Sequence, residues 1–569
     1  MTAMISLHPV VIFLAGALLA ALVGRRYGAV VVVVTPVVSF LNLIFLDADA
    51  NWTFEVLDYS VDLMRIDRLS LLFGYLFHLA AFIGAVFALH VRDPIQQVAA
   101  LLYGGSAIGA VFAGDLVAFF LFWELAAVTS VFLIWARRTP QAMAAGMRYL
   151  IIQVISGLLF FAGVVMRVHE TGSIAFDFIG LTGLASWLVF IALGVKCAFP
   201  MLHNWLTDAY PEATPTGAVF LSAFTTKLAV YALARGYPGT DLLIYIGAAM
   251  TVFPIFFAVI ENDLRRVLCY SMINQIGFMV CGIGIGTALA LNGAVSHAFN
   301  DVIFKGLLFM TMGSVLHMTG RMNGSDLGGL YKTMPMTTGL CIVGAASISA
   351  FPLFAGFVSK SMVMVAALEE GHDGVWLMLL FASAGVFHHA GIKIPFFAFF
   401  GHDSGLRVKD PPLNMLAAMF ISAVLCIGIG AYPWPLYDLL PYPVVYDPFD
   451  LTHVVAQIQL LFFGALAFVW LKLTGLYPPE LRSLNIDAEW LYRRLAWRLA
   501  LAVGGAVKQV DMAVRRVALD DVGVAIATVR RHCGPDALLA QSWATGVATL
   551  WVTLLLGATL VIYYLHSSL

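Results

Sequence analysis

Apolar residues fill the chain in windows of roughly twenty, separated by short polar connections, from HPVVIFLAGALLAALVG near its start to WVTLLLGATLVIYYL near its end. A helix rises about 1.5 Å per residue, so about 20 apolar residues cross the hydrocarbon layer of a bilayer. By that rule about sixteen windows predict spanning helices: 8–24, 28–46, 69–90, 97–113, 115–135, 148–167, 184–206, 215–235, 241–260, 267–287, 292–316, 338–366, 375–400, 412–431, 453–474 and 543–566. Two of them are interrupted in the same way. The seventh contains VKCAFPML and the twelfth ISAFPLFAGFVSK, each with a Phe-Pro break near its middle and a lysine beside it. Lipid cannot satisfy the backbone amides that such a break frees, so both must line a wet or protein-buried cavity. Paired interrupted helices in corresponding halves point to an ion site near the midplane, between inverted repeats.

Ionisable residues inside the predicted spans mark the same region. Glu124 lies in AFFLFWELAAVTSVFLIW, Lys196 in ALGVKCAFPML, Lys227 in LSAFTTKLAVYALAR, His297 and Lys305 in AVSHAFNDVIFKGLLFM, and Lys360 in FAGFVSKSMVM. Each ion costs about 2.5–3.5 kcal/mol at a helix centre even on the lenient insertion scale. Snorkelling to the interface relieves that cost only near helix ends, so it does not account for the set. Desolvation disfavours a charged lysine and a nearby carboxylate favours it, so a lysine whose partner can approach or withdraw is a switchable proton carrier. This chemistry fits a proton pump, an antiporter and an ion channel equally.

Composition agrees with a bilayer as solvent. The 569 residues are 61% hydrophobic and 11% charged, with mean hydropathy +0.92, more apolar surface than a soluble core can use. The net charge of -2 gives no reason to expect nucleic acid. Cys197, Cys269, Cys281, Cys341, Cys426 and Cys533 are scattered, suggesting neither a disulfide frame nor a metal cluster, and no cofactor is expected. The first apolar run lacks a basic flank and a small-residue cleavage site and reads as a retained helix. Loop cations alternate: Arg25, Arg26, Arg92, Arg137, Arg138, Arg148, Arg265, Arg266, Arg321, Lys332, Arg407 and Lys409 share one side, against Arg65, Arg68, Arg167 and Arg235 on the other. The positive-inside rule makes the first side cytoplasmic and puts both termini on the non-cytoplasmic side of a cell (inner) membrane. The triplet NWT at 51–53 is too common a pattern to carry weight.

Several stretches together resemble a known family. WE at 123–124, GVKCAFPMLHNWLTDAYPEA, FTTKLAVYALAR, ENDLRRVLCYSMINQIGFM, HAFNDVIFKGLLFMTMGSVLH, DLGGLYKTMP and FPLFAGFVSK follow one another in the order found in the proton-translocating antenna subunits of respiratory complex I and of Mrp-type monovalent cation/proton antiporters. The resemblance covers roughly residues 60–430, and YPEA and TTKLAVYAL look closest to the D-type subunits of the Mrp antiporters. It implies that Glu124 pairs with Lys196, that Lys227 and Lys305 connect along the midplane with His297 beside Lys305, and that Lys360 is the terminal lysine of the second broken helix. There are departures. Asp301 stands where many members have a histidine, and one turn before Lys305 it can hold that lysine charged or offer an oxygen to a cation such as Na+. Thr207 and Tyr210 replace a usual proline and histidine, so no role passes to that loop. His388, His389 and Lys393 occupy the span where the second repeat would place a partner to Lys227, with a poor match to the motif.

The tail differs from a short antenna subunit. Trp490, Leu491, Leu495, Leu499, Val503 and Val507 form an apolar stripe with Arg493, Arg494, Arg498 and Lys508 off it, the pattern of an amphipathic helix in the cytoplasmic interface. It is similar in kind to the lateral helix of the distal complex I antenna subunit, though shorter, and Gly504 and Gly505 argue against one straight rod.

The expected architecture is an all-α polytopic membrane protein. About fourteen core transmembrane helices include two inverted five-helix repeats, each with a broken helix, followed by an amphipathic interfacial helix and a C-terminal transmembrane helix. The expected divisions are 1–96, N-terminal helices; 97–235 and 241–400, the two repeats; 401–474, peripheral helices; 475–542, the interface segment; and 543–569, the last span. The expected function is that of a membrane subunit of a multisubunit Na+/proton antiporter, with small membrane subunits, protons, Na+ and lipid as its partners. The alternatives are an antenna subunit of a complex I-like or hydrogenase-type redox pump, or the membrane partner of an inorganic-carbon uptake system. No nucleotide loop or Ser/His/Asp arrangement suggests an enzyme acting alone.

Overall fold

In the computed structural model, residues 7–46, 52–56, 59–482, 485–537, 539–542 and 544–568 are described; Asn51 of the NWT triplet lies outside them. The chain divides into two compact units, Met1–Asp487 and Ala488–Leu569.

The first unit is helical almost throughout. It runs α1 (Pro9–Leu22), α2 (Gly24–Ile44), α3 (Arg68–Phe87), α4 (Pro94–Phe112), α5 (Leu116–Trp135), α6 (Pro140–Thr171), α7 (Leu184–Lys196), α8 (Asn204–Ala209), α9 (Gly217–Ala223) and α10 (Thr225–Gly236). It continues through α11 (Asp241–Ile260), α12 (Leu264–Ile285), α13 (Ala288–Thr319), α14 (Pro335–Ile348), α15 (Ala355–Glu369), α16 (Asp373–Val386), α17 (Leu413–Ala431), α18 (Trp434–Tyr437) and α19 (Leu451–Leu473). One antiparallel hairpin, β1 (Thr53–Val56) against β2 (Tyr59–Asp62), interrupts the acidic loop before α3. Among the described residues 13 helices are long and apolar enough to span a membrane, and α1, α7 and α14 are shorter apolar helices. The chain is an all-α polytopic membrane protein. Its helices start where local chemistry starts them: Asp67, Asp93, Asp115, Asp263 and Thr287 cap first-turn amides of α3, α4, α5, α12 and α13.

The two Phe-Pro breaks have the same backbone. After α7, Ala198 and Met201 take positive φ (61° and 70°); after α14, Ala350 and Leu353 do the same (57° and 71°). Each such non-glycine residue costs about 1–2 kcal/mol, strain that persists only where the surroundings impose it. The amide of Phe199 donates to Gly194 O and that of Phe351 to Ala346 O, both at 3.0 Å, while Leu202 and Phe354 donate to the carbonyls of Phe199 and Phe351. The two breaks therefore align Ala198 with Ala350, Met201 with Leu353, and Lys196 with Ile348. Side chains add donors at both breaks. Trp205 Nε1 donates at 2.8 Å to Val195 O, which also accepts from the Ala198 amide at 3.1 Å, and Gln457 Nε2 donates to Ser349 O at 3.1 Å.

Two other stretches depart from the sequence expectation. The thirteenth span, expected as one helix over 375–400, turns π-helical at Phe387–Lys393 and again at Phe396–Phe400; Pro395, which cannot donate to the preceding turn, separates the two wide turns. The stretch 475–542 falls into two parts. Its start, up to Asp487, is a strap that belongs to the first unit and packs on its helices and loops. Arg482 pairs with Asp326 at 2.7 Å, Glu480 with Lys393 at 3.0 Å and His203 with Asp487 at 3.1 Å. Tyr270 also donates to Asp487, at 2.8 Å.

The second unit opens with a π-helical turn, Leu491–Ala496, that leads into α20 (Trp497–Cys533), and it ends with α21 (Thr545–Ser567). α20 runs 37 residues through Gly504 and Gly505 without interruption.

Candidate proton-relay site

Lys196 is the last residue of α7 and 2% exposed. Its Nζ donates to Trp123 O at 3.0 Å, sits 3.9 Å from the centre of the Trp123 ring, and lies 3.9 Å from Glu124 Oε1. Carbonyl, ring face and carboxylate thus share the ammonium, each replacing water lost on burial. α6 makes room for the carboxylate with a glycine: a Cβ on Gly157 would fall 1.9 Å from Glu124 Oε1.

The next pair differs from the sequence expectation. Spacing along α13 assigns Asp301 to Lys305, one turn on, but Asp301 Oδ2 lies 2.7 Å from Lys227 Nζ, with both side chains fully buried. The physical reason is a break at Phe224, between α9 and α10. It frees the carbonyl of Ser222, which accepts from Lys227 Nζ at 3.1 Å and holds the lysine toward α13. Lys305 turns away and donates to Ser271 Oγ on α12 at 2.8 Å. Asp301 is nevertheless the carboxylate felt across the centre, facing Lys305, Lys360 and His297 electrostatically as well as pairing with Lys227.

His297, expected beside Lys305, hydrogen-bonds elsewhere. Its Nε2 meets Gln275 Oε1 and its Nδ1 meets Ser359 Oγ, both at 3.0 Å. Gln275 donates in turn to Asn274, and Asn274 to the carbonyl of Thr251. That directional chain assigns the imidazole as an Nε2–H donor, leaving Nδ1 to accept from Ser359, the neighbour of Lys360. Lys360, on α15, reaches back across the second break to Ile348 O at 3.2 Å, with its Nζ 5.0 Å from the Phe278 ring centre. Helix C-terminal carbonyls carry partial negative charge, so the end of α14 serves as this lysine's partner.

His388, His389 and Lys393 form a further group on the π-helical turn. His389 and Lys393 are fully buried, and His388 packs against Phe468 and Tyr477. Lys393 donates to the carbonyls of Val259 and Glu261 at 2.7 and 2.6 Å. Away from the basic loops, one face of α10 carries Lys227, Tyr231 and Arg235 at four-residue spacing. Arg235 donates to Tyr231 at 2.9 Å and to Asp67 at 2.8 and 3.0 Å, beside a cavity of about 400 Å³ lined by Arg65, Asp67, Asp177 and Tyr442. Burial alone would raise the Asp67 carboxyl, but Arg235 holds it below its ordinary value.

Residues 113–392 match the family described as NADH:quinone oxidoreductase/Mrp antiporter, transmembrane. The chain is 30% identical over 406 residues to a probable K(+)/H(+) antiporter A/B subunit of Rhizobium meliloti, covering 65% of this chain and 40% of that one. It is 28% identical over 370 residues to the D-type Na(+)/H(+) antiporter subunit of Alkalihalophilus pseudofirmus, covering 60% of this chain and 73% of that one. The chain thus spans less than half the length of the first relative. In fold it is similar to a chain in the membrane-bound sulfane sulfur reductase, an archaeal respiratory membrane complex. The TM-score is 0.70 at 22% identity, over 96% of this chain and 99% of that one.

Proposed function

From the match of residues 113–392 to the NADH:quinone oxidoreductase/Mrp antiporter transmembrane family, we propose a membrane subunit of a multisubunit cation/proton antiporter. It is a transporter subunit, not a free-standing enzyme, and it moves protons along Glu124, Lys196, Lys227, Lys305, His297 and Lys360. The observation that carries the reading is the set of buried lysines, each held by a different polar partner: Glu124 and Trp123 O, Asp301, Ser271, and Ile348 O. A fixed structural charge needs one permanent partner. A carrier needs partners that favour its ammonium only modestly, so that loss of the proton is accessible.

The face bearing the basic loops is cytoplasmic, both termini are non-cytoplasmic, and small membrane subunits are the partners. The exchanged cation is Na+ or K+, the two named among the relatives. The near-complete structural match to a respiratory complex favours a second reading, a proton-carrying subunit of a redox-driven complex. Co-purification in mild detergent separates the two: small membrane subunits alone support the antiporter, and flavin or iron–sulfur subunits support the redox complex. Glu124→Ala tests the relay itself. Cation-dependent proton movement in everted vesicles is expected to vanish while insertion and assembly persist. Transport at the parent rate would remove Glu124 from the mechanism.

A further inference from the structure

Lys393 lies beyond the Glu124-to-Lys360 row, and that row assigns it no role. It is fully buried on the π-helical turn, and its two carbonyl partners are at the end of α11, where a helix presents its negative pole. Its carboxylate comes from outside the helical core: Glu480, on the strap after α19, stands 3.0 Å away with its side chain 7% exposed. The strap is pinned on both sides of that contact. Tyr477 is buried before it; Arg482 on Asp326, Asn485 on Glu261 and Asp487 on His203 follow it. Glu261 and Asp326 sit in the 261–263 and 321–332 connections, on the face expected to be cytoplasmic. Toward the interior, His389 is buried four residues before Lys393, and Lys305, His388 and Lys393 are the basic groups that act on it electrostatically. Burial pushes the Glu480 carboxyl up, against the pull of Lys393 and Lys472, and Glu261 and Tyr477 are its other titratable neighbours.

We propose that the strap supplies Glu480 as the proton port of a second branch of the relay, Glu480–Lys393–His389–Lys305, joining the central lysine to the face with the basic loops. The inference rests on the proton-relay reading above. Each step moves one proton and nothing else. Protonated Glu480 gives its proton to neutral Lys393, leaving carboxylate and ammonium; Lys393 gives one to the neutral His389 imidazole; His389 gives one to neutral Lys305. The reverse sequence discharges Lys305. The competing account is a buried ion pair that only fastens the strap. It makes a different prediction, because a pair that only fastens can be replaced by neutral groups of similar volume.

The test uses the full complex in everted vesicles, with assembly followed by co-purification. Glu480→Gln is expected to lower proton movement roughly hundredfold, within the range for losing a positioned proton donor. The doubly neutral Lys393→Met/Glu480→Gln variant is expected to assemble like the parent and remain as slow as Glu480→Gln. Parent-rate transport in either variant overturns the port and leaves a structural pair. If Glu480→Gln fails to assemble, the doubly neutral variant decides. Glu124→Ala in the same preparations separates the two levels: an active Glu124→Ala removes the relay reading, whereas an inactive one beside an active Glu480→Gln removes only the port.

Discussion

The two broken helices share a backbone and differ in where they keep their lysine. At the first break Lys196 precedes the turn and faces a side-chain carboxylate 3.9 Å away. At the second, the position aligned with Lys196 is Ile348, and Lys360 comes from beyond the turn to rest on the carbonyl of that same residue. The repeated feature is a strained turn with freed carbonyls; the charge is delivered to it by different routes. The partners differ in kind as well. Glu124, 23% exposed in its side chain, can change charge, whereas the carbonyl end of α14 cannot. The first half is thus the one that can be switched locally, and the second takes its state from the centre, where Asp301 faces Lys227, Lys305 and Lys360.

The sharpest way to break that comparison is to remove its centre. Asp301→Asn leaves Lys227 buried without a counter-ion, which is expected to cost about 3–5 kcal/mol of stability and to abolish transport. Adding Lys227→Met should restore the melting temperature in detergent but not the transport. Restored transport would make the pair a structural clamp. Next comes the carboxylate side of the first half. Gly157→Ala drives a methyl into Glu124, and a displacement of about 1 Å is expected to cost about a hundredfold in rate. Gly306→Ala, beside Lys305 with open space around its Cα, should leave the rate unchanged. The smallest effects concern the caps, where the two halves should differ. Gln457→Leu uncaps Ser349 O, at about 1–3 kcal/mol, whereas Trp205→Phe leaves Val195 O with the Ala198 amide and should cost less. Thermal melting of the two variants checks that order, and equal losses would contradict it.

Much of this architecture is legible in the sequence because the bilayer imposes simple rules. Length and apolarity locate the spans, Phe-Pro marks the breaks, and the cost of burying charge singles out the lysines. The partners are harder to read, since they are set by backbone events without a sequence marker. Positions 297, 301 and 305 share a face of α13, which assigns Asp301 to Lys305. A break at Phe224, in a window that reads as plain apolar helix, instead brings Lys227 to Asp301. Gly157 is one of 50 glycines, and only its distance to Glu124 distinguishes it. Glu480 and Asp487 resemble ordinary loop acids next to an amphipathic segment, and it is the strap's packing that turns them into partners of the buried Lys393 and His203.

The account stands on the claim that the buried lysines release protons and are not fixed charges. Arginine keeps the charge but holds its proton, so the most direct measurement is cation-driven proton movement in everted vesicles carrying assembled Lys196→Arg, Lys305→Arg or Lys360→Arg complexes. The account predicts that all three are nearly as inactive as the corresponding alanine variants. Parent-like transport with arginine at these positions would contradict it and leave a row of static charges that only shapes the field.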